Sequence, residues 1–283
     1  MFIPCPTRGP ETREMNNGTG WSNKRGFTLV EISIGLVIIG LLIAGIVTGK
    51  SMIEAAELRG LLSQIDKIDT AVNSFKTKYN CLPGDCLVAT NFFPSGGCPN
   101  GNSDPTTTCN GDGGGYINHN SGTSNTPQRR EHFKFWQHLA MAGLIEGQYS
   151  GIGGADSFDR HAIIGTNVPA TPISGLGISI YHHLPTSTSW SVVNGEDRGV
   201  GTHIIHIGAE RPAQITSMGK LTVAQSRSVD EKIDNGLAIS GKVGVYVGTA
   251  SLNTQDCTTG ASSSYVYSSD QEALCLLLMF RNW

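Results

Sequence analysis

The sequence predicts an α+β protein: a long N-terminal helix, membrane-spanning in its first half and a spine in its second, packed on an antiparallel-sheet head with long disulfide-stapled loops. Three observations carry that expectation. From Phe27 to Gly49 there are 23 residues and one charge, Glu31. Immediately beyond, Leu58, Leu61, Ile65, Ile68, Val72, Phe75 and Tyr79 recur at alternating spacings of three and four, an apolar seam along one side of a helix. The remainder is rich in glycine (36 in the chain), poor in charge (15%), and holds six cysteines among short β-branched runs.

Residues 1–26 are polar and show no apolar period. The apolar run makes a helix of roughly 35 Å at about 1.5 Å per residue, enough to cross a bilayer. Lys24 and Arg25 stand directly before it, on the side that the positive-inside rule assigns to the cytoplasm. Glu31 is the anomaly, because a carboxylate inside a spanning helix is costly and marks a functional site. Gly35, Gly40, Gly45 and Gly49 lower the helix propensity of this stretch without forming a single small-residue face. The seam carries the helix on to Asn80, with Glu57, Arg59, Gln64, Asp66, Lys67, Lys76 and Lys78 on the opposite side. Leu82-Pro83-Gly84-Asp85 ends it, since proline denies the helical conformation to the residue before it.

Residues 81–128 read as a loop region rich in Gly, Asn, Pro, Ser and Thr. Glu131 to Glu146 reads as a helix with Phe133, Trp136, Leu139, Ala140 and Leu144 on one face, ending at Gly147. Gly177–His183, His203–Gly208 and Lys242–Val247 read as strands, and Cys275 to Phe280 as a final buried strand. Thr222-Val-Ala-Gln225 is a capping box that opens a helix stopping at Asp234-Asn235-Gly236.

Cysteine usage points to an oxidising compartment. Cys5 lies ahead of the apolar helix, whereas Cys81, Cys86, Cys98, Cys109, Cys257 and Cys275 all lie beyond it. Zinc ligation would call for C-x2-C pairs, which these spacings lack. Fifteen connectivities are open to six cysteines. Sequential pairing is the expectation: Cys81–Cys86, Cys98–Cys109 and Cys257–Cys275.

Other function classes fare poorly. Net charge is −3; residues 1–26 hold four basic and two acidic residues, a net +2, so residues 27–283 carry −5. No basic stripe is offered to nucleic acid. Ala44-Gly45-Ile46-Val47-Thr48-Gly49-Lys50-Ser51 imitates a phosphate loop, yet its interior is apolar and no repeating strand–helix pattern follows. Gly236 to Lys242 fails the same test because Val243 replaces the metal-ligating hydroxyl. His182 with His183, His203 with His206 and His132 with His138 each diverge on their own element, so none forms a local ligand pair. The alternative is a membrane-tethered periplasmic enzyme or metal-binding protein assembled from distant residues.

Gly26 followed by Phe27-Thr28-Leu29-Val30-Glu31 and an uninterrupted apolar helix resembles the cleavage and methylation signal of type IV pilins and type II secretion pseudopilins. The resemblance is strong over residues 24–49 and weaker to about Asp85. It implies a non-enzymatic structural subunit whose leader, residues 1–26, is removed by a prepilin peptidase cutting after Gly26. Met15 offers a second start within that leader. The resemblance further implies that Phe27 becomes the methylated N-terminus, that Glu31 guides assembly, and that the partners are other pilin or pseudopilin subunits. Residues 27–80 would then be the N-terminal helix, with 27–49 in the inner membrane, and 81–283 a periplasmic head. Relatives often carry a proline late in the membrane helix; none occurs here between Phe27 and Leu82. No cofactor is expected. Some secretion pseudopilins bind calcium, and Asn100, Asn102, Asp104, Asn110 and Asp112 hint at oxygen ligands, but Pro105 stands where the loop needs glycine and no glutamate closes it. Solvated turn residues are the better reading of that stretch.

Overall fold

The computed structural model describes residues 26–96, 104–118, 131–153, 161–182, 192–193, 196–197, 202–238, 240–246, 257 and 274–283. Helix α1 spans Leu29–Tyr79, 51 residues without a break. The chain divides into two compact units, Met1–Ser51 and Met52–Trp283, and the boundary falls inside α1. In the first unit the apolar side chains from Phe27 to Val47 are exposed, as they must be in a segment with no protein core to enter.

In the second unit α1 behaves as the seam predicts. Leu58, Leu61, Ile65, Ile68, Val72 and Phe75 are buried, and Ala71 joins them. Tyr79 is half-buried, its ring 4.5 Å from that of Phe75. Asn80 closes the helix in the left-handed region (φ 55°), a conformation that asparagine tolerates, and its N–H donates to the Lys76 carbonyl.

Helix α2 spans Glu131–Met141, five residues shorter than the sequence reading. It stops because Gly143 takes φ 69°, its N–H donating to the Ala140 carbonyl and the Leu144 N–H to the Leu139 carbonyl. That is a Schellman cap, with Leu144 and Leu139 supplying its apolar contact. Nor is α2 buried on one face alone. Every residue from Glu131 to Leu139 is buried, the polar ones included.

Strands β1 (Gly177–His182), β4 (His203–Gly208), β6 (Val243–Tyr246) and β7 (Leu274–Arg281) match the runs read from the sequence to within one residue where described. Strand β5 is only Leu221–Thr222, and Val192–Val193 with Glu196–Asp197 form a separate two-stranded pair, β2 and β3. These short strands carry too little alternation to show in the sequence. All pairings are antiparallel: β1 on β4, β4 on β7, and β5 and β6 on β7. The C-terminal strand is therefore the centre of the sheet.

The two sheet faces divide the apolar residues by alternation. Ile178, Ile180, Ile205, Ile207, Leu277 and Met279 enter the main core with α1 and α2. Tyr181, Ile204, Leu276 and Leu278 form a smaller cluster with Ile215. Helix α3 (Val223–Ile233) begins at the expected capping box, Thr222 accepting from the Gln225 N–H while Gln225 accepts from the Thr222 N–H. The last strand is also tied to α1: Arg281 Nε donates to both carboxylate oxygens of Asp69 at 3.0 Å, and Trp283 Nε1 donates to one of them at 3.2 Å.

Candidate processing and assembly site, and the polar heart of the head

Cys81–Cys86 and Cys257–Cys275 are disulfides, as sequential pairing requires. Cys109 is disulfide-bonded too, while its expected partner Cys98 lies outside the described residues.

At the N-terminus, Gly26, Phe27 and Glu31 lie within six consecutive residues at the start of α1. Among the described residues a Cβ placed on Gly26 would meet nothing within 4 Å, and Phe27 is 83% exposed. Glu31 turns back on the helix start. Its Oε2 accepts from the Thr28 N–H at 2.9 Å and from the Thr28 hydroxyl at 2.8 Å, while the Glu31 N–H donates to Thr28 Oγ1 at 3.2 Å. Thr28 and Glu31 thus form a reciprocal capping box that satisfies donors with no intrahelical partner. The signal, Thr-x-x-Glu ahead of an apolar run, stands in the sequence, where the membrane cost and assembly role of Glu31 overshadow it. The box begins at Thr28, so a cut after Gly26 leaves it intact.

Helix α1 is long and apolar enough to cross a membrane, and none of its most apolar stretch is buried in the protein. A single apolar N-terminal helix of this kind fits a membrane anchor. The combination of exposed glycine, capped helix start and uncovered apolar helix defines the class: a prepilin-like signal attached to a folded head. A family model, the prokaryotic N-terminal methylation motif, matches residues 21–47. The chain therefore carries the prepilin-type signal of type IV pilins and pseudopilins. No curated protein and no solved structure matches the chain.

In the head, the polar residues of α2 organise the loops around it. Gln137 Nε2 donates to the carbonyls of Thr107 (2.9 Å) and Ser150 (3.2 Å), and Lys134 Nζ donates to that of Asn110 (2.8 Å). His138 Nδ1 accepts from the Gly84 N–H, so its proton sits on Nε2, which faces Thr108 Oγ1 at 3.0 Å. Burial, reinforced by the positive charge of Lys134, holds His138 neutral, its pKa lowered to about 3.

Glu131, Asp85 and Asp112 converge from three segments, with one oxygen from each within 4.8 Å of the others. Burial pushes Glu131 up to about 9, against the N–H groups of Asn118 and Asp112, which favour its charge. Burial likewise raises Asp85 to about 6, and Asp112 adds to the rise. Sequence reading missed this meeting because residues 85, 112 and 131 share no spacing. Asp104 stays apart and exposed, accepting from Thr106, and Asn110 Oδ1 accepts from the Thr90 N–H. Asn100 and Asn102 lie outside the described residues.

The histidines also meet in a way local spacing hides. His182 and His203 are direct partners across β1 and β4, with ring centroids 5.3 Å apart. His203 Nε2 accepts from the Ile117 N–H, and burial, followed by the charges of His182 and Lys76, lowers its pKa to about 4. His183 lies outside the described residues.

Proposed function

We propose that the chain is a structural subunit of a type II secretion pseudopilus or a type IV pilus. The observation that carries this reading is the methylation motif at residues 21–47, laid over an uncovered apolar stretch, residues 27–49, whose one charge is Glu31. In this reading residues 1–26 are a leader removed by a prepilin peptidase, and Phe27 is the methylated N-terminus. Residues 27–80 are the N-terminal helix, with 27–49 held in the inner membrane before assembly. Residues 81–283 form a head in the periplasm or on a surface filament, and the size of that head favours a minor or tip position. The role is structural, and the bond-breaking chemistry at Gly26 belongs to the peptidase.

Glu31 has a physical part to play in that assembly. In staggered helices, the ammonium of one subunit's Phe27 meets the Glu31 carboxylate of the next in a low-dielectric core, and each charge compensates the other. The partners are therefore other pilin or pseudopilin subunits carrying the same N-terminal helix. No cofactor enters this reading.

The test is processing. Co-expressed with a prepilin peptidase, the protein is expected to yield a form that begins at Phe27 and carries one extra methyl group. Gly26→Ala is expected to block or slow the cut; among the described residues, chain neighbours apart, nothing lies within 4 Å of the added Cβ, which points any loss to the peptidase cleft. Intact mass showing the full leader beside an active peptidase would sink the proposal.

A further inference from the structure

Two buried imidazoles accept main-chain N–H bonds from the connection between α1 and α2. His138 Nδ1 takes the Gly84 N–H at 2.9 Å, and His203 Nε2 takes the Ile117 N–H at 3.2 Å. His138 is 0% exposed and His203 3% exposed, so water does not stand in for either ring. An imidazole nitrogen accepts a hydrogen bond only while it carries no proton. Protonating that nitrogen would set N–H against N–H and leave a buried amide without its acceptor. The direction of the response to pH therefore follows from which atom donates. The same connection is tied further: Thr108 Oγ1 lies 3.0 Å from His138 Nε2, and the Ile117 carbonyl accepts from the His182 N–H.

We infer that His138 and His203 are an acid-sensitive pair of clasps that hold turn 81–86 and loop 104–118 against α2 and the sheet, and that falling pH opens them. The inference concerns the head alone and does not rest on the filament reading. Around His138 stand Lys134, one turn earlier on α2, and the rings of Phe75 and Phe93, with centroids 6.1 Å and 5.9 Å away. Asp85, next to Gly84, is turned to the Gly114 and Gly115 N–H groups, and Glu131 to those of Asp112 and Asn118. Around His203 stand His182 of β1, Lys76 of α1, the Trp283 ring and Arg281, its partner across β7, whose Nε is bonded to Asp69. Tyr116 lies beyond His182, with ring centroids 4.9 Å apart. Among the described residues no carboxylate bonds to either ring, and the nearest charges are mostly positive.

The sign of the pH dependence agrees with the bonds. Burial, then the charge of Lys134, lowers His138 to about 3, although the Cys109 carbonyl favours the proton. Burial, then the charges of His182 and Lys76, lowers His203 to about 4. An imidazole released into water titrates near about 6.5, so the closed head binds fewer protons than the opened one. The clasps are fully set above about pH 6.5 and lose hold as pH falls, through about 4 for His203 and about 3 for His138.

The experiment is amide hydrogen exchange on the full chain in detergent, with rates corrected for intrinsic pH dependence. Protection of the Gly84 and Ile117 amides is expected to fall by about tenfold or more between about pH 7 and about pH 5, while the amides of β7 hold. His138→Asn and His203→Gln place an amide oxygen where Nδ1 and Nε2 stand, so each keeps an acceptor and loses the titration. Each variant is expected to keep its own amide protected at pH 5. Should either variant fail to fold, ring nitrogen shifts of the unaltered protein decide: both imidazoles are expected to stay neutral for as long as the two amides stay protected. Protection of Gly84 and Ile117 that does not change over this range would overturn the clasps. So would an imidazole protonated at pH 5 beside an amide that remains protected, or an equal loss of protection in β7, which would make the event global acid unfolding.

Discussion

Removal of the Cys257–Cys275 disulfide should be the most costly single uncoupling in the head. The bond closes a loop of 18 positions, against five for Cys81–Cys86. In the chain-entropy account the longer loop contributes about 3 kcal/mol and the shorter about 2 kcal/mol. Both Cys257 and Cys275 are fully buried, and Cys275 sits in β7, paired with Leu221 of β5 and accepting from the Lys220 N–H. The first residues of β7 pair with β5 and β6, so loosening its start weakens those pairings first. For a head of this size about 3 kcal/mol corresponds to a fall of roughly 6–12 °C in Tm. The assay is thermal melting of a soluble form beginning at Met52, comparing Cys257→Ala/Cys275→Ala with Cys81→Ala/Cys86→Ala. Melting of the unaltered protein with and without reductant separates the crosslink from lost packing. A larger fall for the Cys81–Cys86 pair, or no fall for Cys257–Cys275, would refute loop closure as the source of stability.

Two further substitutions probe the other ends of the argument. Gly84→Ala is expected to destabilise the head by about 3 kcal/mol in a denaturant titration. Gly84 has φ 85°, and its Cβ would run into the Glu131 carbonyl and come within 2.9 Å of the Phe135 nitrogen, both main-chain atoms that cannot swing aside; an unchanged midpoint would mean that turn 81–86 is not packed on α2 as described. Glu31→Val and Glu31→Gln together separate two roles of one side chain. The glutamine keeps an oxygen for the Thr28 capping box and loses the charge, whereas the valine loses both. Cleavage is expected to persist in each and filament assembly to weaken equally in each, scored by electron microscopy or secretion of a marker. Normal assembly of Glu31→Gln beside failure of Glu31→Val would assign the residue to helix capping alone.

Much of this protein is written in one dimension. Where burial follows a period, neighbours along the chain suffice: the seam Leu58 to Phe75, the alternating runs of β1, β4 and β7, and the capping box at Thr222 each depend on residues within a few positions of one another. The prepilin-type signal is local in the same sense, since the whole motif lies within residues 21–47. The early stop of α2 was legible too, in Gly143, but the apolar pattern running on to Leu144 masked it; in the fold Leu144 serves the cap instead of extending the helix.

What only tertiary structure decided is the fate of polar residues whose partners lie far along the chain. The polar side of α2 looks like a solvated face by composition, yet Glu131, Lys134, Gln137 and His138 are buried because main-chain donors and acceptors of loops 84–86 and 104–118 arrive to meet them. Burial of such groups is tolerable only when each is bonded, and no spacing within α2 foretells which distant amide will supply the bond. The same reason hid the approach of Asp85 and Asp112 to Glu131, and the pairing of His182 with His203 across two strands. The sequence by itself determined the long helices, the longer strands and the apolar span, because those depend on apolar pattern along the chain. The fold decided which charges stand together, because electrostatic contacts depend on distance in space and carry no period along the chain.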